Sequence, residues 1–391
     1  MPMQKKIQAE LKRILPMLIR FREELHEHPE LGWQEIETTR RIREKLETAA
    51  VSHIFSPLDT GLLVTFEKQA GKPFLLLRAD IDALPIPDKK RVSYHSRNEG
   101  VCHACGHDFH TTIMLGVALL IQKLGGDIPI NTKILFQPAE EPIPSGAKSL
   151  IETDVLQNVS SAFGLHLEPR LPLGTISLTP GWVNMQSIRI DMEFSGRGGH
   201  SARPFAGTDL IWIATRFISD AYQSVQRQTD GLKQPAVLTF TEITAGEGYN
   251  ILPEKLQLTG TLRVTSAEIR KEIFEILQKL AQNLENETDS EIKIQSQIGA
   301  PPVINDPVLI QKVKAEGLKQ FWHPIQIVED FRSPGGDDFG YYAEKVPSAM
   351  IRFGIQTRNF QHGLHTPLFD APPEVINLAV SFFMNVLRNW G

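Results

Sequence analysis

The sequence predicts an α/β fold with a smaller, ferredoxin-like α+β domain inserted into it. Two observations support the α/β part. The first half alternates helical and strand-like runs, and the strand-like run "PFLLLRADID" is almost entirely apolar, as expected of a strand buried on both faces. A third observation predicts the insertion, because residues 186–298 read strand, helix, strand, strand, helix, strand, which is the order of a split βαβ module.

In the first half, apolar spacing of about 3.6 residues predicts helices, and short apolar runs bounded by polar residues predict strands. The predicted helices are Gln4–His26, Glu35–Thr48 and Thr111–Leu124. The predicted strands are "GLLVTFEK", "PFLLLRADID", "TKILFQPAEE" and "SAFGLHLEP". Strands that alternate with helices in this way indicate a sheet covered by helices.

The inserted segment, residues 186–298, has a different order of helices and strands. Its predicted elements are "QSIRIDMEF", "TDLIWIATRFISDAYQSV", "PAVLTFTEIT", "KLQLTGTLRVT", "AEIRKEIFEILQKLAQNL" and "EIKIQSQI". "IRIDMEF" alternates apolar and polar residues, which indicates a sheet with one wet face. After it, a helix at Pro307–Phe321, the strand "MIRFG" and a last helix complete the first domain. We therefore expect one domain at 1–185 and 299–391 and a second at 186–298.

Composition excludes several classes of protein. The 391 residues carry a net charge of −5 and are 41% hydrophobic, so no basic surface argues for nucleic acid binding. Two cysteines do not form a secreted disulfide framework. The N-terminal segment is amphipathic, unlike a signal peptide, and no uninterrupted apolar run reaches the length of a membrane span. We expect a soluble, cytoplasmic protein with no membrane partner.

Both cysteines lie in one unusual stretch, "CHACGHDFH", which also holds three histidines and an aspartate between Cys102 and His110. A redox pair, a metal site and a chance cluster in a polar loop all fit this motif when it is taken alone. The redox alternative leaves the histidines unexplained, and a structural zinc knuckle would require a second C-x-x-C, which the sequence lacks.

Further polar residues lie at the ends of the predicted strands or in the adjoining loops. They are Asp80 and Asp82, Glu140 and Glu141, His166 and Glu168, and His365 after the last strand. Taken singly, each has an ordinary explanation: a buried core histidine, a turn residue or a solvated acidic pair. Ligands of α/β sheets bind at the carboxyl ends of the strands, so their common placement favours a site. With Cys105, His107, Asp108 and His110, they provide nitrogen, oxygen and sulfur donors for as many as two divalent metals.

The adjacent glutamates have a chemical logic of their own. Neighbouring residues in an extended segment point to opposite sides. One carboxylate can then bind a metal while the other stays free to act as general base and then as general acid.

The motifs "LRADIDALP", "HACGHDFH", "LFQPAEE", "GLH", "GRGGHSARP", "YNILPE", "GTLR" and "LHTPLFD" together resemble those of the M20 metallopeptidases. The similar branch contains aminoacylases, hippurate hydrolases and auxin-conjugate amidohydrolases, and "HPELGWQE" and "DDFGYY" also resemble it. The resemblance covers nearly the whole chain. It implies a zinc-peptidase-like catalytic domain interrupted by a lid domain through which the protein forms a homodimer.

The resemblance also implies roles for individual residues. The implied metal ligands are Cys105, His107, Glu141, His166 and His365, holding two divalent ions per subunit, which are zinc, manganese, cobalt or nickel. Glu140 matches the general acid/base, Asp80 the carboxylate that supports the metal site, and His200 the residue that stabilises the tetrahedral intermediate. In this family that histidine can reach the partner subunit's active site.

Two lid residues match positions that contact the substrate carboxylate: Asn250, otherwise a turn residue, and Arg263, otherwise a solvated strand residue. Cys102 falls where no ligand is expected, and His103 and His110 are expected to be supporting or structural.

Two loops depart from the family pattern. "EEPIPSGAKSL" contains two prolines and is one residue longer, and "RSPGGDDFGYY" is richer in glycine. The first borders the site, so it bears on substrate preference.

The function implied is hydrolysis of N-acetyl or N-benzoyl amino acids to a carboxylic acid and a free amino acid. N-acetyl-diaminopimelate deacetylation and dipeptide or carboxypeptidase-type hydrolysis are alternatives on the same machinery. Two rivals come from other classes. A binding protein on an inactive peptidase scaffold would have lost a ligand or the general base, and none is missing. A thiol oxidoreductase would require Cys102.

Overall fold

The computed structural model describes residues 3–390, except for the side chain of Asp127. These residues form two compact units. The larger unit contains residues 3–183, 303–332 and 338–390, and the smaller unit contains 184–302 and 333–337. Each unit has an apolar core of its own.

The larger unit is an α/β structure. Its helices are α1 (Met3–Glu27), α2 (Ile36–Thr48), α3 (His107–Leu124), α4 (Gly146–Leu150), α7 (Pro307–Lys312), α8 (Gly340–Ala343) and α9 (Glu374–Asn389). Its strands are β1 (Ile54–Phe55), β2 (Leu62–Phe66), β3 (Phe74–Asp80), β4 (Asn131–Gln137), β5 (Val159–Pro172), β6 (Thr175–Ser177), β7 (Gly181–Asn184, whose last residue belongs to the smaller unit), β14 (Val303–Asn305), β15 (Gln326–Val328) and β16 (Ser348–Gln356).

Eight of these strands form one mixed sheet in the order β1-β2-β4-β3-β5-β16-β6-β15. The central strands β4, β3, β5 and β16 are parallel to one another, whereas β2 and β6, which flank them, pair antiparallel with β4 and β16. Every residue of β3 and β4 is buried, which explains why their sequences lack alternation. Asp80 lies opposite Gln137 in the register, and Arg78 lies opposite Gly164. The residues that follow β3 and β4 therefore meet at one edge of the sheet.

Several elements differ from their predicted bounds. Helix α3 begins at His107 rather than Thr111, because Gly106 takes a left-handed backbone conformation (φ 87°) that ends the preceding loop and Asp108 favours a helix N-terminus. Strand β5 continues to Pro172, beyond the end of the predicted strand "SAFGLHLEP", and His166 lies well inside it. The helix predicted at Pro307–Phe321 is shorter, since α7 ends at Lys312 and a π-helical turn follows to Gly317.

The smaller unit has the predicted ferredoxin-like topology. Its elements are β8 (Gln186–Gly196), β9 (Gly199–His200), α5 (Leu210–Gln228), β10 (Val237–Ala245), β11 (Ile251–Leu252), β12 (Lys255–Val264), α6 (Ala267–Glu287) and β13 (Ser290–Ile298). The four long strands pair antiparallel in the order β10-β12-β8-β13. Residues of β8 and β12 alternate between buried and more exposed, as the sequence pattern predicted. No helix within residues 3–390 has both the length and the apolar character that crossing a bilayer requires.

Candidate metal centre

The larger unit brings the five predicted metal ligands into one cluster. Cys105, His107 and Glu141 offer donor atoms that all lie within 4.8 Å of one another. The Sγ atom of Cys105 is 3.5 Å from Nε2 of His166. Nε2 of His365 is 3.2 Å from Oε1 of Glu141. One thiol, three imidazoles and a carboxylate, drawn from four separate parts of the chain, therefore converge.

Hydrogen bonds orient two of the histidines as ligands. Nδ1 of His166 donates to the carbonyl of Leu167 at 2.6 Å, which leaves Nε2 facing Cys105. Nδ1 of His107 lies 2.9 Å from the carbonyl oxygen of Asp82 and 3.2 Å from its Oδ1. Nε2 of His107 is buried and has no hydrogen-bond partner among residues 3–390. An imidazole held through one nitrogen with the other left available is the usual arrangement of a metal-binding histidine.

The electrostatics of the cluster favour a cation. Hydrogen bonds with Cys105 and Glu141 raise the pKa of His365 to about 10. Burial opposes a charge on His107, but the carboxylate of Asp80 and the thiol of Cys105 raise its pKa well above the usual value. The surroundings of both imidazoles therefore stabilise a positive charge. A bound divalent ion would supply that charge in place of the protons. The donor set fits zinc and other first-row divalent metals.

Two residues at the site have left-handed backbone conformations that are uncommon for non-glycine residues. His365 has φ 58° and Ala139, directly before Glu140, has φ 53°. Such conformations cost about 1–2 kcal/mol each, so surrounding bonds must hold them. The N–H of His365 donates to the carbonyl of Ala104 at 2.8 Å, and the N–H of Ala139 donates to Oε1 of Glu35 at 2.7 Å. These bonds stabilise the orientation of a ligand and of the glutamate pair.

Asp80 is fully engaged by neighbouring side chains. Its Oδ1 accepts a hydrogen bond from Nδ1 of His110 at 2.6 Å, and its Oδ2 accepts from Nη1 of Arg78 at 2.6 Å. The N–H of Leu167 donates to Nε2 of His110 at 3.0 Å. Both nitrogens of His110 are thus occupied, so its side chain supports the site rather than binding metal. This is the role expected of it from the sequence.

The two adjacent glutamates have different partners. Oε1 of Glu140 accepts from the N–H of Asp338 at 3.3 Å, whereas Oε1 of Glu141 faces His365. The N–H of Glu141 donates to Oδ2 of Asp82 at 3.0 Å. One carboxylate therefore belongs to the donor cluster and the other is held beside it by a backbone N–H. Strand β4 ends at Gln137, so the pair lies in the loop after the strand rather than in an extended segment. The division of metal-ligand and acid/base roles stays a prediction.

Two candidates from the sequence have other roles in the structure. Glu168 is buried and pairs with Nε of Arg170 at 2.8 Å and with Nη1 of Arg352 at 3.5 Å, so its carboxylate is committed to arginine. Cys102 is buried, and burial raises the pKa of its thiol to about 11. A thiol that stays protonated is a poor redox nucleophile, which counts against the thiol oxidoreductase alternative.

The structure also shows two supporting residues: Arg78, to which the sequence analysis assigned no role, and Asp82, which it grouped with the possible metal donors. Arg78 is completely buried and bridges Asp80 to Oδ1 of Asp338, the latter at 2.6 Å. Its Nε donates to Oε1 of Gln137 at 2.7 Å. Asp82 orients both a histidine and the glutamate pair, as described above. The role of Arg78 could have been predicted from the sequence, because a charged residue inside the apolar run "FLLLRAD" requires buried partners.

In the smaller unit, His200 and Asn250 lie together. His200 pairs with Ile251 across β9 and β11, and the N–H of Ser201 donates to the carbonyl of Asn250 at 3.0 Å. Both line a cavity of about 710 Å³. Nδ1 of His200 accepts from the N–H of Ala202 at 3.1 Å, so Nε2 carries the proton in the neutral ring. An exposed Nε2–H is a suitable donor to an oxyanion.

Arg263 lies elsewhere in the smaller unit. It is opposite Ser187 in the register of β8 and β12, whereas Lys255, which lines the cavity with His200, is opposite Ser195. Eight residues of strand separate the two positions, about 27 Å. The smaller unit therefore does not bring Arg263 together with His200 and Asn250.

A cluster of nitrogen, oxygen and sulfur donors, buried at Cys105, His107 and His166 and open at His365, lies beside a second carboxylate at the edge of a helix-covered sheet and defines a divalent-metal hydrolase. The chain belongs to peptidase family M20/M25/M40, whose model matches residues 76–389, and it is an amidohydrolase or peptidase of that family.

Similar proteins agree with this assignment. N-acetylcysteine deacetylase of Bacillus subtilis (strain 168) is 34% identical over 367 residues, which cover 94% of each chain. IAA-amino acid hydrolase ILR1-like 2 of Arabidopsis thaliana is 30% identical over 371 residues, covering 94% of this chain and 84% of that one. The crystal structure of the Bacillus subtilis YXEP protein, described as a dinuclear metal binding peptidase from the M20 family, is 31% identical with a TM-score of 0.84. It covers 96% of this chain and 98% of that one.

Proposed function

We propose that the protein hydrolyses the amide bond of N-acyl amino acids, such as N-acetyl or N-benzoyl derivatives, using two divalent metal ions. The observation that carries this proposal is the glutamate pair: Glu141 lies in the donor group with Cys105 and His107, while Glu140 is outside that group and accepts a hydrogen bond from the N–H of Asp338. The similarity to N-acetylcysteine deacetylase and to an IAA-amino acid hydrolase supports the substrate class.

In this proposal the metal ions are held by Cys105, His107, Glu141, His166 and His365. When bound, they supply Lewis acidity, which polarises the substrate carbonyl and lowers the pKa of water towards ~7. Glu140 accepts the proton of the attacking water and donates it to the leaving nitrogen. Nε2–H of His200 donates a hydrogen bond to the developing oxyanion. Because the smaller unit does not bring Asn250 and Arg263 together, both can contact one substrate carboxylate only if they belong to different subunits.

The experiment that tests this function is amide hydrolysis by the purified protein. We expect release of free amino acid from N-acetylmethionine or hippurate when Mn²⁺ or Zn²⁺ is present, and its loss after treatment with a chelator. Cys102→Ser is the matched control, because Cys102 is buried beside the cluster and has no part in the proposed chemistry. This variant should keep near-normal activity, whereas a thiol oxidoreductase would lose its activity.

Substrates outside this class separate the remaining alternatives. Hydrolysis of N-acetyl-diaminopimelate or of dipeptides, with neither N-acyl amino acid cleaved, would replace the proposed substrate and keep the reaction class. A metal-loaded protein that hydrolyses none of these compounds would contradict the proposal and favour a binding protein.

We also propose a homodimer formed through the smaller unit. Strand β10 is an edge strand of nine residues, and its apolar side chains Val237 and Ile243 are about half exposed. A long apolar edge strand invites pairing with another chain, and a second copy of the same strand would cover it. A dimer would also allow His200 of one subunit to serve the partner subunit's metal site, as the family resemblance implies.

Sedimentation velocity tests the dimer. We expect the wild-type protein to sediment as a dimer and Ile243→Lys to sediment as a monomer, because a buried lysine would lack a partner in the interface. Ile298→Lys is the control, since Ile298 has a similar exposure (47% against 49%) but lies on the opposite edge strand, β13. A dimer that persists in Ile243→Lys and dissociates in Ile298→Lys would place the interface on the other edge.

A further inference from the structure

Two exposed apolar side chains lie beside the glutamate pair. Ile143, two residues after Glu141, is 61% exposed, and Trp33 is 40% exposed. Nε1 of Trp33 donates to the carbonyl of Pro144 at 3.1 Å, so the two segments that carry these side chains are in contact. We call Trp33 and Ile143 the apolar rim. Large apolar groups left exposed next to a polar site are typical of ligand recognition.

The segment that carries Trp33 holds the glutamate loop at two further points. A Cβ atom at Gly32 would lie 2.7 Å from Cγ of Pro142, so the backbone of Gly32 packs directly against the proline ring. Oε1 of Glu35 accepts from the N–H of Ala139 at 2.7 Å, and its Oε2 accepts from Oγ1 of Thr60 at 2.9 Å. A surface held at several points loses little conformational entropy when it binds a ligand.

The same segment is joined to the frame of the metal centre. Leu31 forms a parallel β-bridge with Ala83, and the N–H of Ala83 donates to the carbonyl of Glu30 at 2.8 Å. Ala83 follows Asp82, whose Oδ2 accepts from the N–H of Glu141. The segment that carries Trp33 is therefore bonded both to the glutamate loop and to the residues after β3 that support the donor cluster.

We propose that the apolar rim binds a large apolar group next to the scissile amide. The preferred substrates are then N-acyl amino acids that carry an aromatic or long aliphatic group, rather than N-acetyl derivatives of small amino acids. This inference rests on the proposed amide hydrolysis. The indole N–H of Trp33 is already bonded to Pro144, so the ring offers its apolar face for stacking. The apolar group belongs either to the acyl group or to the amino acid side chain.

Three substrates distinguish these two sources. N-acetylalanine is small on both sides of the amide, N-benzoylalanine is large on the acyl side, and N-acetylphenylalanine is large on the amino acid side. We expect the wild-type protein to prefer one of the two large substrates. In Trp33→Ala and in Ile143→Ser, the ratio of kcat/KM for that substrate to kcat/KM for N-acetylalanine should fall about 10-fold or more. The substrate that loses its advantage identifies the side that the rim binds.

Phe55→Ser is the matched control, because Phe55 is 52% exposed in the same unit but lies on the edge strand β1, where it pairs with Leu63. It should leave the ratio unchanged. Calorimetric binding of the preferred substrate to Glu140→Gln should weaken about 10-fold when Trp33→Ala is added, which gives a readout independent of turnover.

The outcomes separate the two proposals. A wild-type protein without a preference, or a rim variant that slows all three substrates equally, would overturn the rim and leave amide hydrolysis intact. Failure of the wild-type protein to cleave any N-acyl amino acid would overturn both.

Discussion

Replacing Glu140 with glutamine is expected to lower kcat by about 10²–10⁴-fold, the usual contribution of a general acid/base. Glutamine has nearly the same shape, and its side-chain oxygen can still accept the hydrogen bond from the N–H of Asp338. It cannot accept the proton of the attacking water. Metal content should stay at the wild-type value, because Glu140 is not one of the proposed ligands. Steady-state kinetics together with metal analysis of the purified variant measure both quantities.

The neighbouring residue provides the control. Glu141→Gln should lose metal, because its carboxylate lies in the donor cluster with Cys105 and His107. The two variants differ by one position in the chain and by the same chemical change. If Glu140→Gln kept its kcat, the assignment of Glu140 as general acid/base would be wrong. If Glu140→Gln lost metal while Glu141→Gln retained it, the roles of the two glutamates would be reversed.

Replacing Arg78 with methionine is expected to destabilise the larger unit by about 3–5 kcal/mol, the usual effect of removing one partner from a buried ionic network. Arg78 is completely buried and binds the carboxylates of Asp80 and Asp338 at 2.6 Å each. Without it, two buried carboxylates lose a cationic partner. The methionine side chain fills similar space, so the loss of packing is small. Urea denaturation of the metal-free protein measures the change in free energy of unfolding.

A second variant and a control test the cause of this loss. Adding Asp338→Asn to Arg78→Met should restore part of the stability, because one of the two unpaired charges is removed. Arg40→Met should change stability little, since Arg40 pairs with Glu37 and Glu44 on an exposed helix surface. Equal stability of Arg78→Met and the wild-type protein would show that the network does not stabilise the fold.

Much of the fold could be predicted because its signals are local. The apolar runs of β3 and β4 and the alternation in β8 reflect which faces of each strand are buried. The order of elements in the smaller unit was sufficient to predict its ferredoxin-like topology, which the structure confirms. Helix bounds were less predictable. Helix α3 begins four residues early because Gly106 ends the loop in a conformation that composition does not reveal.

The candidate site was only partly accessible from sequence. The donor residues can be recognised by their type and by their position at strand ends. The resemblance of their motifs to the M20 family then indicated which of them form one metal site. Three features depend on contacts between distant residues. His110 is occupied at both nitrogens, Glu168 is committed to arginine, and Arg263 lies at the far end of the lid strand from His200. None of these follows from the residue types involved.

The sequence by itself determined the fold class through its periodicity and the family through the resemblance of its motifs, and it supplied the candidate metal ligands by residue type, because all of these are properties of the residues and their order. Only the tertiary structure decided how those residues are used. The bond between Arg78 and Asp338 joins positions 260 residues apart, and that between Ala139 and Glu35 joins positions 104 apart. A hydrogen bond depends on distance and direction in space, and spacing along the chain does not specify either one.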